Sequence, residues 1–64
     1  MGRQKQQGWE REAFAGVPEG SGDWRDYERA KRAVQRWADH EFLEGRTPPR
    51  DSDLRQAAKR WVGV

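Results

Sequence analysis

The sequence predicts an all-α fold: a small two- to three-helix domain, helix-turn-helix-like, with a flexible N-terminal tail. Two long segments carry apolar residues at helical spacing, and stretches rich in glycine or proline separate them. Neither an Asn-Gly nor an Asp-Gly hairpin signal occurs in the chain. With 64 residues, 33% of them hydrophobic, the chain has room for a single small helical domain at 9–64, and its core must be thin.

The first part of the chain is predicted to contain a tail, a short helix and a loop. Residues 1–8 are polar and aperiodic, which is typical of a flexible tail. Residues 9–15 place Trp9 and Ala13 four positions apart, on one face of a short helix. Residues 16–22 contain three Gly, one Pro and one Ser, so we expect a loop there.

Residues 23–44 form the longest predicted helix. Asp23 or Ser21 is suited to cap its first turn, and Gly45 is suited to end it. Most apolar positions are three or four residues apart, so they share one half of the helix. These positions are Trp24, Tyr27, Ala30, Val34, Trp37, Ala38 and Phe42. We expect this half to face the core, with tryptophan side chains filling the space beside small alanines.

A further helix is predicted at residues 51–62, after a proline-containing turn. Pro48 and Pro49 cannot continue the preceding helix, and Gly63 is suited to end the new one. Its apolar stripe consists of Leu54, Ala57, Ala58, Trp61 and Val62. The two main helices are therefore expected to pack through small residues, with Trp24, Trp37 and Trp61 around them.

The chain lacks the residue sets that most catalytic and cofactor sites need. It has no Cys and one His, and its two serines stand where caps or turns are expected. Asp39, His40 and Glu41 are consecutive, so on a helix they point in different directions and cannot converge on a metal ion. We expect no enzymatic activity, cofactor, metal or small-molecule substrate. No apolar run approaches the length of a membrane span, and we expect a cytoplasmic protein.

The long helix is predicted to carry a ridge of four arginines, Arg25, Arg29, Arg32 and Arg36. They are separated by four, three and four positions, so they lie within about 60° of one another around the helix. Such an arginine ridge can contact the phosphates of a nucleic-acid backbone. The alternative is a solvated face that neighbouring acids, such as Glu28 and Asp39, balance through pairs at helical spacing.

The C-terminal residues 45–64 carry five cations against two anions, a net charge of +3. One face of the predicted second helix combines Arg55, Gln56, Lys59 and Arg60. Arginine, lysine and glutamine side chains read base edges in the major groove, and a short helix after a turn suits a recognition helix. Arg46 and Arg50 are then placed to grip phosphate. The alternative is again a charged face that only keeps the helix solvated.

Two segments carry a resemblance to known DNA-binding families. These are Ala33-Val34-Gln35-Arg36-Trp37-Ala38-Asp39 and Gly45-Arg46-Thr47-Pro48-Pro49-Arg50-Asp51-Ser52-Asp53. Through them, residues 30–63 resemble the helical repeats associated with homing endonucleases, although the Phe-Gly-Trp-type helix that follows in those repeats is missing. The outline is also similar to the C-terminal domain of an actinobacterial nucleoid-associated protein, without its Arg-Gly-Arg hook. The resemblance implies DNA binding.

The sequence therefore predicts a small binding protein that acts on double-stranded DNA, as a regulator of a phage or mobile element. One copy offers little surface for tight specific binding, so a homodimer or larger assembly is expected. The alternative is a protein-binding module, such as a phage-type inhibitor or an accessory subunit of a larger complex. The small net charge of +2 favours this alternative, and Trp9 and Phe14 are its candidate anchors.

Overall fold

The computed structural model describes residues 8–64, which form three α-helices. Helix α1 covers Gly8–Ala13, α2 covers Trp24–Leu43 and α3 covers Asp51–Val62. The all-α prediction is confirmed. The flexible tail predicted at 1–8 lies outside the described residues, apart from Gly8, which is the first residue of α1.

Helix α2 begins and ends at residues whose chemistry suits a cap. The side chain of Asp23 accepts a hydrogen bond from the backbone N–H of Arg25 at 2.7 Å, which satisfies one free donor of the first turn. At the other end the N–H of Glu44 donates to the carbonyl of His40, and Gly45 adopts φ +86°. The helix is therefore one residue shorter at each end than predicted, because Asp23 and Glu44 are caps.

Helix α1 is shorter than the helix predicted at 9–15. The N–H of Val17 donates to the carbonyl of Phe14 at 2.9 Å, and Gly16 adopts φ +88°, so the chain turns away soon after Ala13. The bounds of α3 are those predicted, and Gly63, at φ +85°, ends it.

The core lies between α2 and α3 and is covered on one side by α1. Ala30, Ala57 and Ala58 are almost completely buried, so their small side chains let α2 and α3 approach closely. Phe14 is 0% exposed, and its ring lies 5.2 Å from that of Trp61, measured between centroids. Phe14 is therefore a core residue, and its proposed role as a surface anchor for a protein partner is wrong.

The segment between α1 and α2 closes over the C-terminal end of α3. The N–H groups of Gly20 and Gly22 donate to the carbonyls of Trp61 and Val62, each at 2.7 Å. These bonds satisfy carbonyls in the last turn of α3 that have no partner within the helix. The indole N–H of Trp61 in turn donates to the carbonyl of Val17 at 3.1 Å.

The tryptophans do not all fill the core as predicted. Trp61 is buried, whereas Trp37 is partly buried and stacks on Trp9 with ring centroids 5.0 Å apart. Trp24 is 63% exposed, so its predicted place in the core is wrong. It is the first residue of α2, and its ring lies 5.2 Å from that of Tyr27. Phe42, near the other end of α2, is also exposed.

A buried ion pair joins the first and last helices. Glu10 of α1 is 0% exposed, and a guanidinium N–H of Arg60 in α3 donates to its Oε2 at 2.5 Å. A charge this far from water needs a charged or hydrogen-bonding partner, which explains why Arg60 turns toward α1. The pair fixes α1 against α3.

Candidate nucleic-acid interface

The arginine ridge is an exposed line on α2. All four of its arginines are exposed, as the spacing predicts. The buried residues of α2 are Tyr27, Ala30, Val34 and Ala38. At 100° per residue, these lie about half a turn around the helix from the ridge. The ridge therefore faces away from the core.

Three of the four ridge arginines have no acidic partner among residues 8–64. The guanidinium of Arg29 lies 3.6 Å from the carboxylate of Asp26. Within the described range, no salt bridge involves Arg25, Arg32 or Arg36. From Arg25 to Arg36 the ridge spans about 16 Å at 1.5 Å per residue. It can therefore contact several phosphates of one strand, which are spaced along the axis at about 3.4 Å.

The predicted recognition face of α3 is partly engaged within the protein. Arg55 donates to the carboxylate of Asp51 at 2.8 Å, and Arg60 is held by Glu10. The second pairing gives Arg60 a structural role that its place in the sequence does not reveal. Gln56 and Lys59 are exposed, and Lys59 makes no ion pair with another described residue. Two of the four predicted base-reading side chains thus remain available.

The two arginines predicted to grip phosphate between α2 and α3 differ from one another. Arg46 binds Glu41 through two hydrogen bonds, from Nε at 2.6 Å and from Nη2 at 2.9 Å. These bonds to Arg46, more than its charge, hold the pKa of the Glu41 carboxyl below its ordinary value. The same bonds raise the pKa of Arg46. Arg46 thus ties the connection after α2 back onto that helix. Arg50 is exposed and pairs with no acid of residues 8–64.

The ridge and the polar face of α3 point to different sides of the molecule. Each lies on the side of its helix that is turned away from the core between α2 and α3. Arg32 of the ridge and Arg55 of α3 both line a groove of about 570 Å³ between the helices. Glu28 and Asp51 also line this groove, so its basic residues are offset by acids. One straight duplex cannot lie along both surfaces at once.

Exposed apolar residues at the ends of α2 are a feature that the sequence analysis missed. Trp24, Phe42 and Leu43 are 63%, 72% and 81% exposed. Helix α2 has 20 residues and α3 has 12, so α3 is too short to cover both ends of its neighbour. The lengths of the two predicted helices could have indicated this exposure, because the longer helix must extend beyond the shorter one.

Other kinds of site find less support in the described part of the chain. Among residues 8–64 there is no group of three or more His, Cys, Asp or Glu side chains that could hold a metal ion. No helix in that range is both long and apolar enough to cross a bilayer. His40 is exposed and lies 3.7 Å from the carboxylate of Glu41.

Comparisons with protein-family models, with curated proteins and with solved structures find no match to this chain. A functional assignment therefore depends on the surface itself. Its most distinctive polar feature is the exposed arginine ridge on α2.

Proposed function

We propose that this protein binds double-stranded DNA and that the arginine ridge on α2 grips the phosphate backbone. The observation that supports the proposal is that Arg25, Arg32 and Arg36 are exposed on one line and pair with no acid of residues 8–64. Unpaired cations can release the counterions of DNA without first breaking a contact inside the protein. In this proposal the protein acts in the cytoplasm as a small regulator of a phage or mobile element.

The polar face of α3 is the second surface that can contact DNA. Gln56 and Lys59 are the members of the predicted recognition set that remain available, and Arg50 lies just before the helix. Arg55 and Arg60 must first give up Asp51 and Glu10, which makes α3 the weaker candidate. Since the two surfaces face different sides, separate variants distinguish them.

The test is fluorescence anisotropy of a labelled mixed-sequence duplex, titrated with protein over a series of salt concentrations. We expect saturable binding at low salt that weakens as salt rises. The triple variant R25Q/R32Q/R36Q removes three phosphate contacts and should lower the salt slope by about 3, roughly 1 per contact. The matched control is K59Q, a charge-removing change on α3, which should leave the slope nearly unchanged.

Two outcomes would reject the proposal. Absence of binding by the wild-type protein at low salt rejects DNA binding by this chain. Equal salt slopes for the wild type and the triple variant show that the ridge does not contact DNA. If K59Q lowers the salt slope more than the triple variant does, the contact lies on α3. Circular dichroism spectra of each variant show whether its helices are retained.

Protein binding is the second candidate function. It is favoured by the exposure of Trp24, Phe42 and Leu43, since large apolar residues on a small surface mark interaction sites. The anchors named from the sequence fit less well, because Phe14 is buried and Trp9 is stacked on Trp37. Binding that is insensitive to salt but lost in F42A would support this candidate over DNA binding.

A further inference from the structure

The two exposed aromatic residues of α2 lie on the same side of the helix. Trp24 and Phe42 are 18 positions apart, which is about five turns at 3.6 residues per turn. They are therefore in line along the helix and about 27 Å apart at 1.5 Å per residue. Both rings are largely exposed, at 63% for Trp24 and 72% for Phe42.

A continuous stripe of side chains joins these two aromatic residues. Its members recur at spacings of three and four residues, as the residues of a helix–helix seam do. The Trp24–Phe42 stripe consists of Trp24, Glu28, Lys31, Gln35, Asp39 and Phe42. All members except Trp24 line one or both of two adjoining grooves between α2 and α3, of about 570 and 490 Å³. The stripe thus borders two adjoining grooves that a further helix can cover.

We propose that a second copy of this chain covers the stripe, with the two α2 helices paired antiparallel around a twofold axis at the level of residue 33 along the helix. Residues 24 and 42 are equally far from position 33 along the helix. The twofold axis therefore places Trp24 of each copy against Phe42 of the other and buries both aromatic pairs. A surface that complements itself in this way is what a twofold homodimer requires.

The charges along the stripe agree with a second copy as the occupant. In the antiparallel alignment, Lys31 lies beside Gln35 of the second copy and about one turn from its Asp39. The same alignment brings Glu28 and Asp39 of opposite copies to a similar level, so we expect a weak, concentration-dependent dimer. The two carboxylates also make this stripe unfavourable for a DNA backbone.

The proposed dimer has a consequence for the arginine ridge. The ridge lies about a quarter turn around α2 from the stripe, so pairing leaves it exposed. A twofold axis perpendicular to two antiparallel helices keeps the same side of each helix on the same face of the dimer. Both ridges therefore lie on one face, with the two α3 helices on the other. The pairing itself does not depend on DNA binding, but it enlarges the surface that the proposed function uses.

The first test measures the mass of the full chain in solution, without DNA. Sedimentation velocity over a concentration series reaching about 1 mM should show the mass rising from 7.5 kDa toward twice that value. F42E should remain monomeric, because it places a carboxylate against Trp24 of the second copy. The matched control is V64E, at an exposed apolar residue outside the stripe, which should dimerise as the wild type does.

The second test fixes the alignment of the two helices. The chain has no cysteine, so E28C/D39C introduces two thiols and leaves both aromatic residues in place. Within one copy these positions are about 16 Å apart, far beyond the Cα separation of about 4–7 Å that a disulfide allows, whereas the antiparallel alignment brings them to a similar level in opposite copies. Oxidation should therefore give a covalent dimer. The control E28C/H40C moves one thiol about 100° around the helix and should cross-link much less.

A wild-type chain that stays monomeric across the concentration series overturns the proposal. So does a dimer that survives F42E, or one in which E28C/D39C cross-links no better than E28C/H40C. Because both tests are done without DNA, their failure is separate from failure of the DNA-binding proposal. None of the substituted side chains belongs to the core, so a circular dichroism spectrum like that of the wild type is expected for each variant.

Discussion

Replacing Arg60 with glutamine should destabilise the fold by about 3 kcal/mol, because it removes the cation that faces a buried carboxylate. Glu10 is 0% exposed, and Arg60 donates to it at 2.5 Å. Removal of one partner from a buried ion pair costs about 3–5 kcal/mol. The lower end applies here because the Arg60 side chain is 37% exposed, and water screens part of the interaction.

A loss of this size is a large share of the stability of so small a domain. At about 0.05–0.15 kcal/mol per residue, its free energy of unfolding is about 3–10 kcal/mol. Thermal unfolding followed by circular dichroism should show a melting temperature lower by roughly 12–24 °C, at 4–8 °C per kcal/mol. Urea unfolding of the same samples gives the change in free energy directly.

The matched control is the same substitution at Arg55, five residues earlier on α3. Arg55 also donates to a carboxylate, that of Asp51 at 2.8 Å, but both side chains are more than 60% exposed. Such a pair contributes about 0–1 kcal/mol. Adding E10Q to R60Q removes the buried charge and should restore part of the loss. If R60Q and R55Q differ by less than about 0.5 kcal/mol, the buried pair does not hold α1 to α3.

Three further predictions concern α2. The pair of Glu41 with Arg46 lowers the pKa of Glu41, so the pair stabilises the fold fully above the ordinary carboxyl pKa. This stabilisation is lost as pH falls through the lowered pKa. Urea unfolding should therefore show that the difference in free energy of unfolding between wild type and E41Q becomes smaller in acid. D23A removes the cap of α2 and should cost about 1 kcal/mol in the same assay. D39N removes a repulsion with Glu28 of the second copy and should tighten the dimer about twofold by sedimentation; a weaker dimer contradicts the alignment.

The ends of α3 could be predicted from the sequence, whereas the end of α1 could not. Two prolines precede α3 and Gly63 follows it, so local chemistry sets both of its bounds. Helix α1 ends at Ala13, before any proline, because the chain must turn early to carry Gly20 and Gly22 to the carbonyls of α3. Contacts of that kind join residues about forty positions apart, and helical periodicity gives no information about them.

The candidate site also has one feature that the sequence predicts and one that depends on contacts between distant residues. The arginine ridge lies on a single helix, so its spacing alone predicts that all four side chains share an exposed face. The pairing of Arg60 with Glu10 joins positions 50 residues apart and depends on how α1 packs against α3. Helical spacing gives only the direction of a side chain around its own helix, and for Arg60 that direction predicted a solvent-exposed face. Spacing does not predict which buried charge a neighbouring helix brings to that face.

The difference in length between α2 and α3 leaves part of α2 without cover from α3. At 1.5 Å per residue, α2 is about 30 Å long and α3 about 18 Å, so about 12 Å of α2 extends beyond its partner. Trp24 and Phe42 lie near opposite ends of α2, and α3 leaves both exposed. An element as long as α2 itself can cover both at once, and a second copy supplies that element while leaving the arginine ridge free for DNA.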